Sequence, residues 1–199
     1  MKWEAAALAG VVAFLVVVLE LITSKYARTA KFAVTAWPLY VYGFIYAVIA
    51  AFAQAFSLAK INGGDAAQGA VVSNLWVQAL IVGISVKAFL HIRLFSVGSG
   101  TGSFPVGIES LTQLFEPWLL NTLDLDHAVA KITYLQPKAA KYTDLAKVKA
   151  DAIAGVPPFI DIKVCAGFAT DVSRATTTLR VMELYVDLVG TKYFNLTFP

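Results

Sequence analysis

Side chains able to hold a metal or move a proton cluster only once in this chain, in Asp124-Leu125-Asp126-His127. Two carboxylates and an imidazole are suitable ligand types, but a protein-bound metal wants three or four such groups, and no second cluster completes the set. The same residues have a structural use, because Asp126 stands where an N-cap would stand for a helix starting at His127. The other histidine, His91, lies beside Lys87 and Arg93, as an interfacial cation would. Glu109 and Glu116 are seven apart on roughly one helical face and read as solvated acids flanking an apolar stripe.

Other reactive patterns are missing. Residues Ser96 to Ser103 have Gly-x-Gly-x-Gly spacing, yet no strand precedes them and no Gly-Lys-Ser/Thr follows, so the segment reads as a linker rather than a phosphate cradle. There is no HExxH, no CxxC and no Ser/His/Asp set, and the single cysteine, Cys165, has no intrachain partner for a disulfide. The expectation is therefore no catalytic residue, no cofactor and no metal. A membrane-bound enzyme using Asp124, Asp126 and His127 is the third of three functional readings.

The elements that would carry these residues are mostly oily. With 58% hydrophobic and only 15% charged residues, the chain is poorer in charge than a soluble domain, which points to a membrane. A net charge of +3 without a basic, aromatic-interleaved patch excludes nucleic acid as a partner. Three apolar runs stand out, at about 5–23, 33–59 and 70–95, giving a transmembrane domain over 1–97, a linker at 98–104 and a second domain over 105–199. The first run is too long and its flank too neutral for a cleaved signal peptide. Trp37, Tyr40, Tyr42 and Tyr46 give the second an aromatic belt. Lys25, Arg28 and Lys31 follow the first run, while Lys87, His91 and Arg93 load the end of the third. By the positive-inside rule these groups anchor the cytoplasmic interface, with the N-terminus outside and the C-terminal domain in the cytoplasm. A bacterial inner membrane fits this pattern, and so does an organelle membrane.

Each run carries one narrow face of small or polar groups. Gly10 and Glu20 lie on it in the first, Gly43, Gln54 and Ser57 in the second, and Asn74, Gln78 and Ser85 in the third. Such stripes pack helices closely or line a water-filled path. Glu20 would neutralise the cluster of Lys25, Arg28 and Lys31.

The C-terminal part reads as a small α/β domain. A first helix carries Leu111, Phe115 and Trp118 on an apolar face suited to docking a partner, and Pro117 should kink or end it. A second holds Tyr142, Leu145, Val148 and Ala152 on one face and stops at Gly155 and Pro157-Pro158. Ile160, Ile162 and Val164 alternate with polar residues as a strand should, a helix runs from about Ser173 to Val189, and Phe194, Leu196 and Phe198 alternate again. Strand, helix and strand suit a βαβ unit.

The expected protein is a non-enzymatic integral membrane subunit. It would oligomerise through its transmembrane helices and use its cytoplasmic domain to dock a partner or receive a signal. Its partners are the lipid bilayer, further copies of itself, or another membrane or cytoplasmic protein. A homo-oligomeric ion channel or membrane-permeabilising pore gated by the cytoplasmic domain is the alternative.

Overall fold

The computed structural model describes residues 2–63, 74–90, 95–99, 102–106 and 109–199, with side chains described at 3–56, 74–87 and 114–199. These residues form helices α1 (Lys2–Lys25), α2 (Ala30–Ala33), α3 (Trp37–Gly63), α4 (Leu75–Leu90), α5 (Glu109–Ala139), α6 (Leu145–Ala154), α7 (Ile162–Arg174) and α8 (Thr178–Thr197). Strands β1 (Phe95–Ser99) and β2 (Gly102–Val106) form one antiparallel hairpin, Phe95 opposite Val106. Pro105 is tolerated there because both strands of a two-stranded sheet are edges. The chain divides into two units interleaved in sequence. Met1–Leu21 and Trp37–Leu123 make one, Ile22–Ala36 and Asp124–Pro199 the other.

The first, apolar unit is built on α1, α3 and α4. Pro38 sits in the first turn of α3, where a missing N–H costs little. Asn74 starts α4 by accepting the Trp76 backbone N–H at 3.0 Å. Ala5, Ala9, Ala13 and Val17 are buried along α1, and Tyr46, Ala50 and Gln54 along α3. Small residues let the helices touch at backbone level. A Cβ on Gly10 would lie 2.9 Å from the Ala47 carbonyl oxygen, one on Gly83 2.8 Å from that of Ala9, and one on Gly43 2.7 Å from Val18. Large apolar side chains instead point outward, among them Leu15, Leu19, Phe44, Val48, Phe52, Phe56, Ile81 and Ile84.

Two of the helices are long and apolar enough to cross a bilayer, over Trp3–Lys25 and Trp37–Phe56. Among the described residues the expected third crossing is not found: α4 has 16 residues, short of the roughly 20 that a bilayer core needs. Of the expected linker, 98–99 and 102–104 lie within the hairpin strands.

In the second, C-terminal unit, large side chains are inside. Phe32 of α2, Leu135 of α5, Val148 and Ala152 of α6, Phe168 and Val172 of α7, and Tyr185, Phe194 and Phe198 of α8 and its end share one core. Asp144 caps α6 by accepting from the Ala146 and Lys147 N–H groups, and Asp161 caps α7 by accepting from Lys163 N–H. The expected α/β domain is overturned, for Ile162 and Val164 lie in α7 and Phe194 and Leu196 in α8. Ile162 and Val164, taken as an inward-facing set, are exposed, while Phe168 and Val172, four apart, face the core. At the C-terminus Phe194 and Phe198 are buried and Leu196 between them is 73% exposed, so a spacing of four decides the structure over a spacing of two.

α5 likewise passes through two predicted stops. Pro117 removes one intrahelical hydrogen bond, but the buried side chains of Leu119 and Leu123 hold the helix beyond it. Asp126 lies inside α5 rather than at a cap. The helix was already under way when it reached this residue.

Candidate functional site

The most polar constellation lies in the C-terminal unit, where the segment after α1 meets one stripe of α5. Asp124, His127, Lys131 and Tyr134 follow steps of three, four and three, which return to one helical face. The Lys25 ammonium pairs with one Asp124 oxygen at 2.7 Å, and the Tyr26 hydroxyl donates to the other. His127 Nε2 and the buried Thr29 hydroxyl are 2.9 Å apart. Lys131 Nζ donates to both oxygens of Asp187 at 3.0 and 2.9 Å. The Lys31 ammonium lies over the Tyr134 ring, 4.6 Å from its centroid.

Backbone geometry holds the same segment from the other side. Gly190 interrupts α8 with φ +79°, and a Cβ there would sit 3.0 Å from the Arg28 carbonyl oxygen. An L side chain is disfavoured at that φ, and glycine is not. Between these groups lies a cavity of about 410 Å³ lined by Ser24, Lys25, Arg28, Thr29, His127 and Lys131, among others.

Electrostatics follow from these neighbours. Burial alone would raise the Asp124 carboxyl, but the hydrogen bonds from Lys25 and Tyr26 and the charge of Lys25 outweigh it and hold the group below its ordinary value. Burial pushes His127 down, and the Lys131 charge pushes it further, against the opposing pull of Asp187 and Asp124. The imidazole is therefore neutral at pH 7. Burial, then the hydrogen bond and charge of Asp124, drive the Tyr26 phenol well above its usual range, so it remains a donor.

The Asp124-Asp126-His127 cluster is thus split among structural partners, and among the described residues no group of three His, Cys, Asp or Glu side chains could hold a metal. A lysine, a tyrosine and a threonine hydroxyl hold Asp124 and His127 in place.

The remaining predicted residues scatter. Glu20 pairs with Lys87 at 2.7 Å. Asn74 caps α4, and Ser85 donates to the Ile81 carbonyl of its own helix. Gln54 is buried and Gln78 half-buried. Ser57 and Leu111 lie on α3 and α5, their side chains outside the described residues, as are His91 and Arg93 altogether. Phe115 is turned inward, its ring 6.3 Å from that of Tyr46, whereas Trp118 is exposed and meets Trp37 edge-on at 6.3 Å.

Sequence reasoning missed a clasp in the apolar unit. The buried hydroxyls of Tyr42 and Tyr46 both donate to one oxygen of Glu116, Tyr42 at 2.7 Å. Tyr42 and Tyr46, four apart, were read as belt residues, and their spacing was the available signal. Also missed was the α5 stripe, because nothing local marks the residues it faces.

What the fold and site define is a helical protein with two helices fit to enter a membrane and a polar helical unit. No protein-family model, curated protein or solved structure matches the chain.

Proposed function

We propose that this chain is a non-enzymatic integral membrane subunit that holds a helical unit at the membrane surface, where it docks a partner protein or receives a signal. The observation that carries the reading is the reversed side-chain pattern of α1 and α3: alanine and glycine inside, with Leu15, Leu19, Phe44, Phe52 and Phe56 outside. Water would not tolerate that surface on a monomer, and lipid would. Lys25, Arg28 and Lys31 between the two helices favour a cytoplasmic link. Phe32 of that link is buried in the same core as α6, α7 and α8, so the link is part of the C-terminal unit.

Docking is supported by the surface of that unit. Phe159 and Tyr193 stack edge-on at 5.7 Å, with Ile162 and Leu196 exposed three residues after each. Among self-association and a different partner, the second has more support, because Gly10, Gly43 and Gly83 are already occupied by helix packing within one chain. The pore reading has less, since Glu20 is neutralised by Lys87 and Ser85 bonds to its own helix.

The test is isolation of the full chain in mild detergent followed by native mass measurement. A co-purifying protein lost on Ile162→Glu and retained on Ile153→Glu is the expected result. A lone monomer throughout would defeat the docking reading, and steady conductance in a planar bilayer would favour the pore.

A further inference from the structure

We infer that the cavity beside Arg28 in the C-terminal unit binds a phosphate group. Lys25, Arg28 and Lys131 line it, against a single lining carboxylate, Asp187. Asp124 and Asp187 hold Lys25 and Lys131 by ion pairs, which fixes the two ammonium groups and leaves one uncompensated positive charge. That charge is Arg28, which has no ion-pair partner among the described residues. A guanidinium presents a planar fork of donors that matches two phosphate oxygens at once. The Thr29 hydroxyl and the neutral His127 ring border the same space and can bond further oxygens or the ester group.

The site is built rather than incidental. Gly190 fits against the Arg28 carbonyl, Thr29 bonds to His127, and Phe32 is locked in the core three residues later. Little ordering remains to be done on binding, which favours affinity. A cation is repelled by this lining, and a planar carboxylate uses fewer of the donors than a tetrahedral phosphate does. About 410 Å³ accommodates a phosphate with a small attached group. Two sources share this chemistry. Ser24 and Lys25 end α1 directly after its apolar run, within reach of an anionic lipid headgroup, while a soluble phosphate ester could enter from the aqueous side. This inference rests on the C-terminal unit and not on any docking partner.

Two measurements on the full chain separate the sources. Native mass spectrometry from bilayers of phosphatidylcholine mixed with phosphatidylglycerol reads retained anionic lipid. Titration of inorganic phosphate into phosphatidylcholine nanodiscs, followed by the His127 ring signals, reads the soluble form. Retention of phosphatidylglycerol that falls about tenfold in Arg28→Gln, as loss of a charge-assisted bond implies, and recovers in Arg28→Lys, assigns the lipid. A saturable phosphate shift with the same dependence assigns the soluble ester. Ala27→Glu, which adds a carboxylate to the exposed rim, should abolish either signal without touching the core. Lipid retention and phosphate response that are both indifferent to Arg28 and Ala27 would overturn the inference.

Discussion

The two units solve the same packing problem with opposite side chains. In the apolar unit the inner faces of α1, α3 and α4 are rich in alanine and glycine, with Val17, Tyr46 and Gln54 among them, and phenylalanine and leucine face out. In the C-terminal unit Phe168, Tyr185, Phe194 and Phe198 are inside, ringed by Lys, Asp and Thr. The difference follows from the solvent each surface fits. Water drives large apolar groups inward, whereas lipid exerts no such force and leaves close backbone approach as the main source of helix adhesion. Polar groups differ in the same way. The apolar unit keeps few and ties them tightly, as with Glu116 between Tyr42 and Tyr46. The C-terminal unit spreads them over its surface.

The sharpest way to break this contrast is to shorten an aromatic in each unit. Phe194→Ala should destabilise the C-terminal unit by about 3–5 kcal/mol, the usual cost of emptying an aromatic core site. Phe52→Ala should change thermal stability in detergent by no more than about 0.5 kcal/mol, as an outward residue does. Equal losses in thermal denaturation would erase the distinction between the two interiors.

Charge probes the outer surface of α3. Val48→Arg places a guanidinium in the middle of the Trp37–Phe56 stretch and should oppose insertion by about 2.5–3.5 kcal/mol. Alkaline extraction of membranes reads the result: the variant should partition to the soluble or aggregated fraction, and unchanged retention would argue that this face does not meet lipid.

The next effect concerns the seat of the link after α1. Gly190→Ala combines a disfavoured φ with a Cβ 3.0 Å from the Arg28 carbonyl and should cost about 1–3 kcal/mol. Gly167, with nothing within 4 Å of its added Cβ, is the control. Its replacement by alanine within α7 should be neutral or stabilising, since alanine favours a helix interior.

Acid gives the smallest effect. His127 is held below its ordinary value of 6.5, so as pH falls the unfolded chain takes up a proton before the folded one. Its contribution is full above about 6.5 and declines as pH drops through that value toward the lower folded one. Asp124, also lowered, contributes above the ordinary carboxylate range and loses its share only in stronger acid, as pH falls through its folded value. Thermal unfolding followed from about pH 7.5 to 5 should therefore show a declining midpoint that His127→Gln flattens. A slope unaltered by that substitution would remove His127 as its origin.

How far the residues disclosed these features depended on the range of the forces involved. The two long apolar helices were legible because burial in oil requires an uninterrupted run. The α6 helix was legible because Val148 and Ala152 repeat at helical spacing and Gly155 with Pro157-Pro158 stops them. The βαβ unit was misread because Ile160 to Val164 and Phe194 to Phe198 satisfy a spacing of two and a spacing of four together. Only packing against Tyr185 and Val172 chose between them. At the candidate site, Lys25, Arg28 and Lys31 were visible as a basic cluster. Their partners Asp124 and Tyr134, roughly a hundred residues away, were not.

By itself the sequence determined two apolar stretches that fit a bilayer, the charge that follows the first, and the absence of any recognisable catalytic motif. Those properties depend on local composition, and local composition is additive along the chain. Tertiary structure alone decided that Glu20 meets Lys87, that Glu116 is held by two tyrosines, and that Ile162 and Phe194, read as strand residues, lie in helices α7 and α8. Each of these depends on which distant surfaces meet, and a pairing between distant surfaces leaves no trace in either segment taken alone.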